Sequence, residues 1–154
     1  MSGQSAPTVP VATTFVIMSL AGQLCGVPVG AVRDVLQGQK VTRVPLAPPD
    51  IAGSLNLRGR IVTAVDLRRR MSLPPTDKAS SLMSVVTKLD GELYALQVDR
   101  AFDVLTLDAS CFEPKPATIP HAWGQYCAGI YRLADQTLLI FDLARLLAFT
   151  PAEA

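Results

Sequence analysis

The chain has 154 residues, 49% of them hydrophobic and 18% charged, with 14 Lys and Arg against 13 Asp and Glu. That length fits one domain, or two small units sharing a core. The apolar content excludes disorder throughout, a net charge of +1 excludes the basic footprint of a nucleic-acid binder, and so little charge points to protein contacts. Residues 1–13 hold Ser, Pro, Ala and Thr without periodicity and read as a flexible leader. Phe15–Leu20 and Leu24–Val29 flank Ala21-Gly22-Gln23, a hairpin signal. Ala31–Leu36 and Val41–Leu46 follow as short strands, and Ala47-Pro48-Pro49-Asp50 is a turn. Ile51–Leu57 and Ile61–Val65 form a second hairpin around Arg58-Gly59-Arg60. A short helix runs from Asp66 to Met71, and residues 73–77 link to the second half.

The second half repeats the first. At an offset of 69, Leu20-Ala21-Gly22-Gln23-Leu24 lies on Leu89-Asp90-Gly91-Glu92-Leu93, and Asp34-Val35-Leu36 lies on Asp103-Val104-Leu105. At an offset of 76, Ala52-Gly53 meets Ala128-Gly129 and Asp66-Leu67 meets Asp142-Leu143. Units of this size bury too little surface alone, so they are expected to share an interface. Strand content, short connections and few helices point to small barrels or curled sheets.

Chemistry has little to work with. His121, the single histidine, lies in a loop without a nucleophile elbow. Cys25, Cys111, His121 and Cys127 supply four donors, but their spacing matches no compact zinc motif, and three apolar-flanked cysteines read as small core residues. No phosphate-cradling glycine loop is present, so neither catalysis nor a cofactor is expected. An odd cysteine count without CxxC, and no Lys or Arg before Arg33, suit a reducing compartment. The run Phe15–Leu20 is too short to span a bilayer. A cytoplasmic protein without direct membrane insertion is the expectation.

Most charges have ordinary readings. Asp66 and Asp142 begin short helices, where a carboxylate accepts unpaired N–H groups. Asp99 and Asp103 sit among strand residues and are expected to face solvent. Arg68-Arg69-Arg70 fan around a helix axis and read as a solvated helix end. Two positions stand apart. Arg58 and Gly59 occupy a tight turn that throws the arginine outward, and alternation puts Val32 and Asp34 on one strand face. An Arg–Asp pair on an apolar surface gives direction to a docking site.

Asn56-Leu57-Arg58-Gly59-Arg60-Ile61-Val62-Thr63-Ala64-Val65-Asp66-Leu67-Arg68 resembles the signature of CheW-type chemotaxis coupling proteins. Thr42-Arg43-Val44-Pro45, Ala47-Pro48-Pro49 and Gly53 look like that family's approach to it, and Gly26-Val27-Pro28-Val29 with Val32-Arg33-Asp34-Val35 are similar to its early strands. Val98-Asp99, Asp103-Val104-Leu105, Gly129 and Leu139-Ile140-Phe141-Asp142-Leu143 follow its later order. The resemblance spans about Thr14 to Phe149.

It implies a mainly β fold: two small five-stranded SH3-like barrels around a shared core, covering residues 14–149 as halves 14–75 and 79–149, with a tail at 150–154. It implies a non-catalytic adaptor joining chemoreceptor cytoplasmic tips to the regulatory domain of a CheA-type histidine kinase, recruited to membrane-associated arrays or rings. Val32, Asp34 and Arg58 would belong to the receptor-binding region, with Asp34 and Arg58 as a charge pair. Gly53 and Gly59 would hold turns, with Asn56 supporting the same interface. Kinase contact would come from exposed strand ends of both halves. The alternatives are a small-molecule-binding β-barrel domain and a coupling-like protein that competes in the array without activating the kinase.

Overall fold

A computed structural model of the chain describes residues 12–38, 40–76, 82–114 and 119–149. Most of the leader and the whole 150–154 tail lie outside these residues. The first half supplies strands β1 (Ala12–Leu20), β2 (Gln23–Pro28), β3 (Val32–Gln37), β4 (Ile51–Leu57) and β5 (Arg60–Asp66), then helix α1 (Leu67–Arg70). The second supplies β6 (Met83–Leu89), β7 (Glu92–Val98), β8 (Arg100–Asp108), β9 (Phe112–Glu113), α2 (His121–Gly124), β10 (Cys127–Arg132), β11 (Thr137–Phe141) and α3 (Leu143–Leu146). The first strand begins at Ala12, so two residues assigned to the leader are ladder residues.

Three hairpins turn in the same way. Ala21 and Gly22, Arg58 and Gly59, and Asp90 and Gly91 carry φ of 51° and 83°, 52° and 84°, and 52° and 84°. Positive φ at both central residues is what a type I′ turn requires, and its twist matches that of the strands it joins. The first and third turns are the pair that the repeat aligns.

The strands make a six-stranded sheet ordered β8-β1-β2-β11-β10-β9 and a five-stranded sheet ordered β3-β6-β7-β5-β4. One sheet exceeds the expected five because Phe112 and Glu113 add an edge ladder to β10. Each sheet draws on both repeats, so neither belongs to one half of the chain. The β1–β2 hairpin lies between β8 and β11, and its counterpart β6–β7 lies between β3 and β5. Even the parallel registers agree: Cys25 faces Leu139 in one sheet, and Tyr94 faces Thr63 in the other. Those residues are repeat partners at offsets of 69 and 76. The repeat in the sequence is therefore the symmetry of the fold.

Burial follows from this exchange. Leu55, Val62, Ala64, Val86, Leu93 and Ala95 fill the inside of the five-stranded sheet. Phe15, Ile17, Tyr131, Leu138 and Ile140 fill the other. Between the sheets, the largest cluster joins Met18, Leu20 and Val27 of the first half to Leu96, Val98 and Phe141 of the second. Cys25 and Cys127 are buried, but Cys111 is exposed in a 3-10 turn, unlike the core position expected of it. Burial pushes the Cys25 thiol up, so it stays protonated and apolar at neutral pH.

Several local expectations need correction. Residues 41–46 form no strand, only an isolated bridge from Thr42 to Ser54, because Pro45 interrupts the segment and Leu46 takes φ of 65°. His121 opens the one-turn helix α2 rather than a loop. The Arg68–Arg70 run is not a solvated end, for the same fan around the axis sends two of its three arginines into other parts of the molecule. Arg68 binds Asp99 through Nε at 3.1 Å and Nη2 at 2.8 Å. Asp99 is thus half-buried and paired, although Asp103 is exposed as expected. Burial raises the Asp99 carboxyl, but hydrogen bonds from Arg68 and the Ala21 N–H, with the Arg68 charge, outweigh it and hold it below its ordinary value.

Arg70 goes further. Its guanidinium sits 4.8 Å from the Tyr126 ring centroid and 4.4 Å from that of Phe149. It donates to the Leu146 carbonyl at 2.9 Å, the Ala148 carbonyl at 3.0 Å and Asp50 at 3.0 Å. One arginine thereby ties the first-half helix to the end of the second half.

Candidate functional site

The five-stranded sheet curls until its two edges approach each other. Leu36 of β3 and Leu57 of β4, from opposite edges, pack on the same cluster. The hairpin joining β4 to β5 is thereby carried over β3. Arg58, at its tip, puts Nη2 3.1 Å from Asp34 Oδ2. The charge pair expected from the sequence is present.

Local structure holds both partners. Asn56 Oδ1 accepts the Gly59 N–H at 2.9 Å across the turn, so Asn56 and Gly59 fix the tip that projects Arg58. A left-handed arginine at the first central position is less favoured than Asn, Asp or Gly. Asp34 Oδ1 accepts the Val35 N–H at 2.9 Å, which sets the carboxylate's orientation. The other oxygen, Oδ2, is shielded from solvent yet receives no aligned hydrogen bond. Arg58 meets it as a charge, with its own side chain 77% exposed against 22% for Asp34. The pair thus turns the exposed Arg58 guanidinium outward, with the shielded Asp34 carboxylate behind it.

The remaining residues divide. Val32 is half-buried and packs against the shared cluster, so it supports β3 from beneath. The neighbouring Val35 is exposed, as are Val29 and Ile61. Strand alternation turns Val35 outward, on the face of β3 opposite Asp34. Gly53 holds no turn. It sits in β4 at a register shift, and a Cβ there would overlap the Thr42 carbonyl that accepts the Ser54 N–H at 2.8 Å. Its repeat partner Gly129 likewise sits at a shift in β10, where a Cβ would overlap the Phe112 ring.

The second half carries only part of this site. Asp103 Oδ1 accepts the Val104 N–H at 2.8 Å, as Asp34 does with Val35, and Phe102 and Val104 are exposed on β8. But Ala134 stands at the position corresponding to Arg58, and the hairpin there is longer. The ion pair is therefore a property of the first half. Among the described residues no three His, Cys, Asp or Glu side chains group closely enough to hold a metal.

Comparison with known proteins places this geometry. The family model of the CheW-like domain matches residues 14–150. The chain belongs to the CheW-like family. It is 28% identical over 134 residues to the chemotaxis protein CheW of Klebsiella aerogenes, covering 87% of this chain and 81% of that protein. It is 31% identical over 128 residues to CheW of Bacillus subtilis, covering 83% and 82%. The crystal structure of the scaffolding protein TtCheW from Thermoanaerobacter tengcongensis superimposes with a TM-score of 0.81 at 28% identity, covering 92% of this chain and 97% of that one. The mainly β fold and the role of a chemotaxis coupling adaptor follow from this membership.

Proposed function

We propose that this adaptor bridges the cytoplasmic tip of chemoreceptors to the regulatory domain of a CheA-type histidine kinase, with no catalysis of its own. The observation that carries this reading is the Arg58–Asp34 pair at the meeting of two sheet edges. A docking receptor helix can accept from the exposed side of the Arg58 guanidinium without breaking its contact with Asp34. Ile61, exposed on the hairpin that carries Arg58, adds apolar area. Kinase contact falls to exposed strand ends of both sheets, the β1–β2 hairpin among them. Among the described residues no helix is long and apolar enough to cross a membrane, so receptors bring the adaptor to the membrane.

Titration calorimetry with a receptor cytoplasmic hairpin, and separately with the kinase regulatory domain, tests the reading. Binding to both is expected, with dissociation constants of about micromolar, or roughly −8 kcal/mol. No measurable affinity for either partner sinks it.

A further inference from the structure

A second surface lies on the connection between β3 and β4, which the Arg58–Asp34 pair does not use. There an open groove of about 550 Å³ runs between the proline-rich loop and α1, lined by Arg43, Val44, Leu46, Pro48, Ile51 and Arg69. Short turns hold the loop. The Thr42 and Ser54 backbones exchange two hydrogen bonds of 2.8 Å, Ala47 N–H donates to Val44 at 3.3 Å, and Ile51 N–H donates to Pro48 at 2.9 Å.

In the turn from Val44 to Ala47, Pro45 takes the first central position and Leu46 the second, with φ of 65°. A type II turn favours glycine there, since φ must be positive. The chain instead places a leucine in this unfavoured backbone state and leaves it 95% exposed. Folding has no use for that side chain in the core. The groove is also charged in one sense. Among the described residues neither the Arg43 nor the Arg69 guanidinium has a carboxylate partner.

We infer that this groove docks an acidic amphipathic helix of a partner protein, with Leu46 and Val44 meeting its apolar stripe and Arg43 and Arg69 meeting its carboxylates. An apolar stripe laid in a groove is a common recognition mode, and two unpaired cations at the rim select the charge of what enters.

The test uses the full chain labelled with 15N and a short synthetic helical peptide carrying leucines at i and i+4 with flanking glutamates. A control peptide has glutamine for glutamate. Chemical-shift changes confined to residues 43–52 and Arg69 are expected, with affinity about tenfold weaker for the control peptide and for Arg43→Glu or Arg69→Glu. Leu46→Gly keeps the melting temperature or raises it, and loses the peptide, which separates docking from folding. No shift up to millimolar peptide, or equal shifts with both peptides, overturns the inference. Shifts produced by concentrating the chain alone assign the groove to a second copy and overturn it equally. The titration contains neither receptor nor kinase, so its failure leaves the function proposed above untouched.

Discussion

Residues 1–77 and 78–154, produced separately, are expected to be unfolded, and to regain the native fold when mixed or co-expressed. The exchanged strands make this a large effect. Without the second half, the β1–β2 hairpin loses both neighbours, β8 and β11, while β3 loses β6 and β5 loses β7. What remains is isolated two-stranded hairpins, which are marginal in water. The shared cluster would be cut through its middle, leaving Met18, Leu20 and Val27 without Leu96, Val98 and Phe141. Circular dichroism and thermal melts of each fragment and of the equimolar mixture check it. A cooperative β-rich melt from either fragment alone would contradict the exchange.

Reversing the charge at Arg58 is expected to weaken receptor-hairpin binding by about tenfold or more, a loss of roughly 1.4 kcal/mol or above, while affinity for the kinase regulatory domain holds. The fold should scarcely respond. With the Arg58 side chain 77% exposed, the pair belongs to the surface class that contributes about 0–1 kcal/mol. Arg58→Glu removes the exposed donor and leaves Asp34 facing a like charge, so the docking contact and the pair that orients it are lost together. Arg58→Lys serves as the internal control: charge survives, the planar fork does not, and intermediate affinity is expected. Calorimetry against both partners, with melting temperature in parallel, separates the outcomes. Unchanged receptor affinity for Arg58→Glu would remove this site from the receptor interface.

The hairpins are legible in the sequence because Ala21-Gly22, Arg58-Gly59 and Asp90-Gly91 each place glycine where φ must be positive. The caps were readable too, with Asp66 accepting the Arg69 N–H at 3.1 Å and Asp142 the Arg145 N–H at 3.2 Å. Both are local, set by a few adjacent residues. The exchange of strands was not readable. Alternation tells which face of a strand is buried but not which strand lies beside it. The same limit hid the roles of Arg68 and Arg70, whose partners Asp99, Leu146 and Ala148 stand far away in sequence. The close approach of Thr42 to Gly53 was not legible either, since it depends on a bridge across the proline loop. At the site itself, Asp34 and Arg58 emerged from family resemblance and strand alternation, whereas their contact depends on the curl of a whole sheet.

The adaptor role is tested most directly by reconstitution. Receptor-containing membranes, a CheA-type kinase and this chain are combined, and phosphate incorporation into the kinase is followed. Phosphorylation should rise several-fold only when all three are present, and Arg58→Glu should abolish the rise while leaving the kinase's own basal rate unchanged. Equal phosphorylation with and without the chain, or a decrease when it is added, would contradict coupling and leave a competitor for array positions in its place.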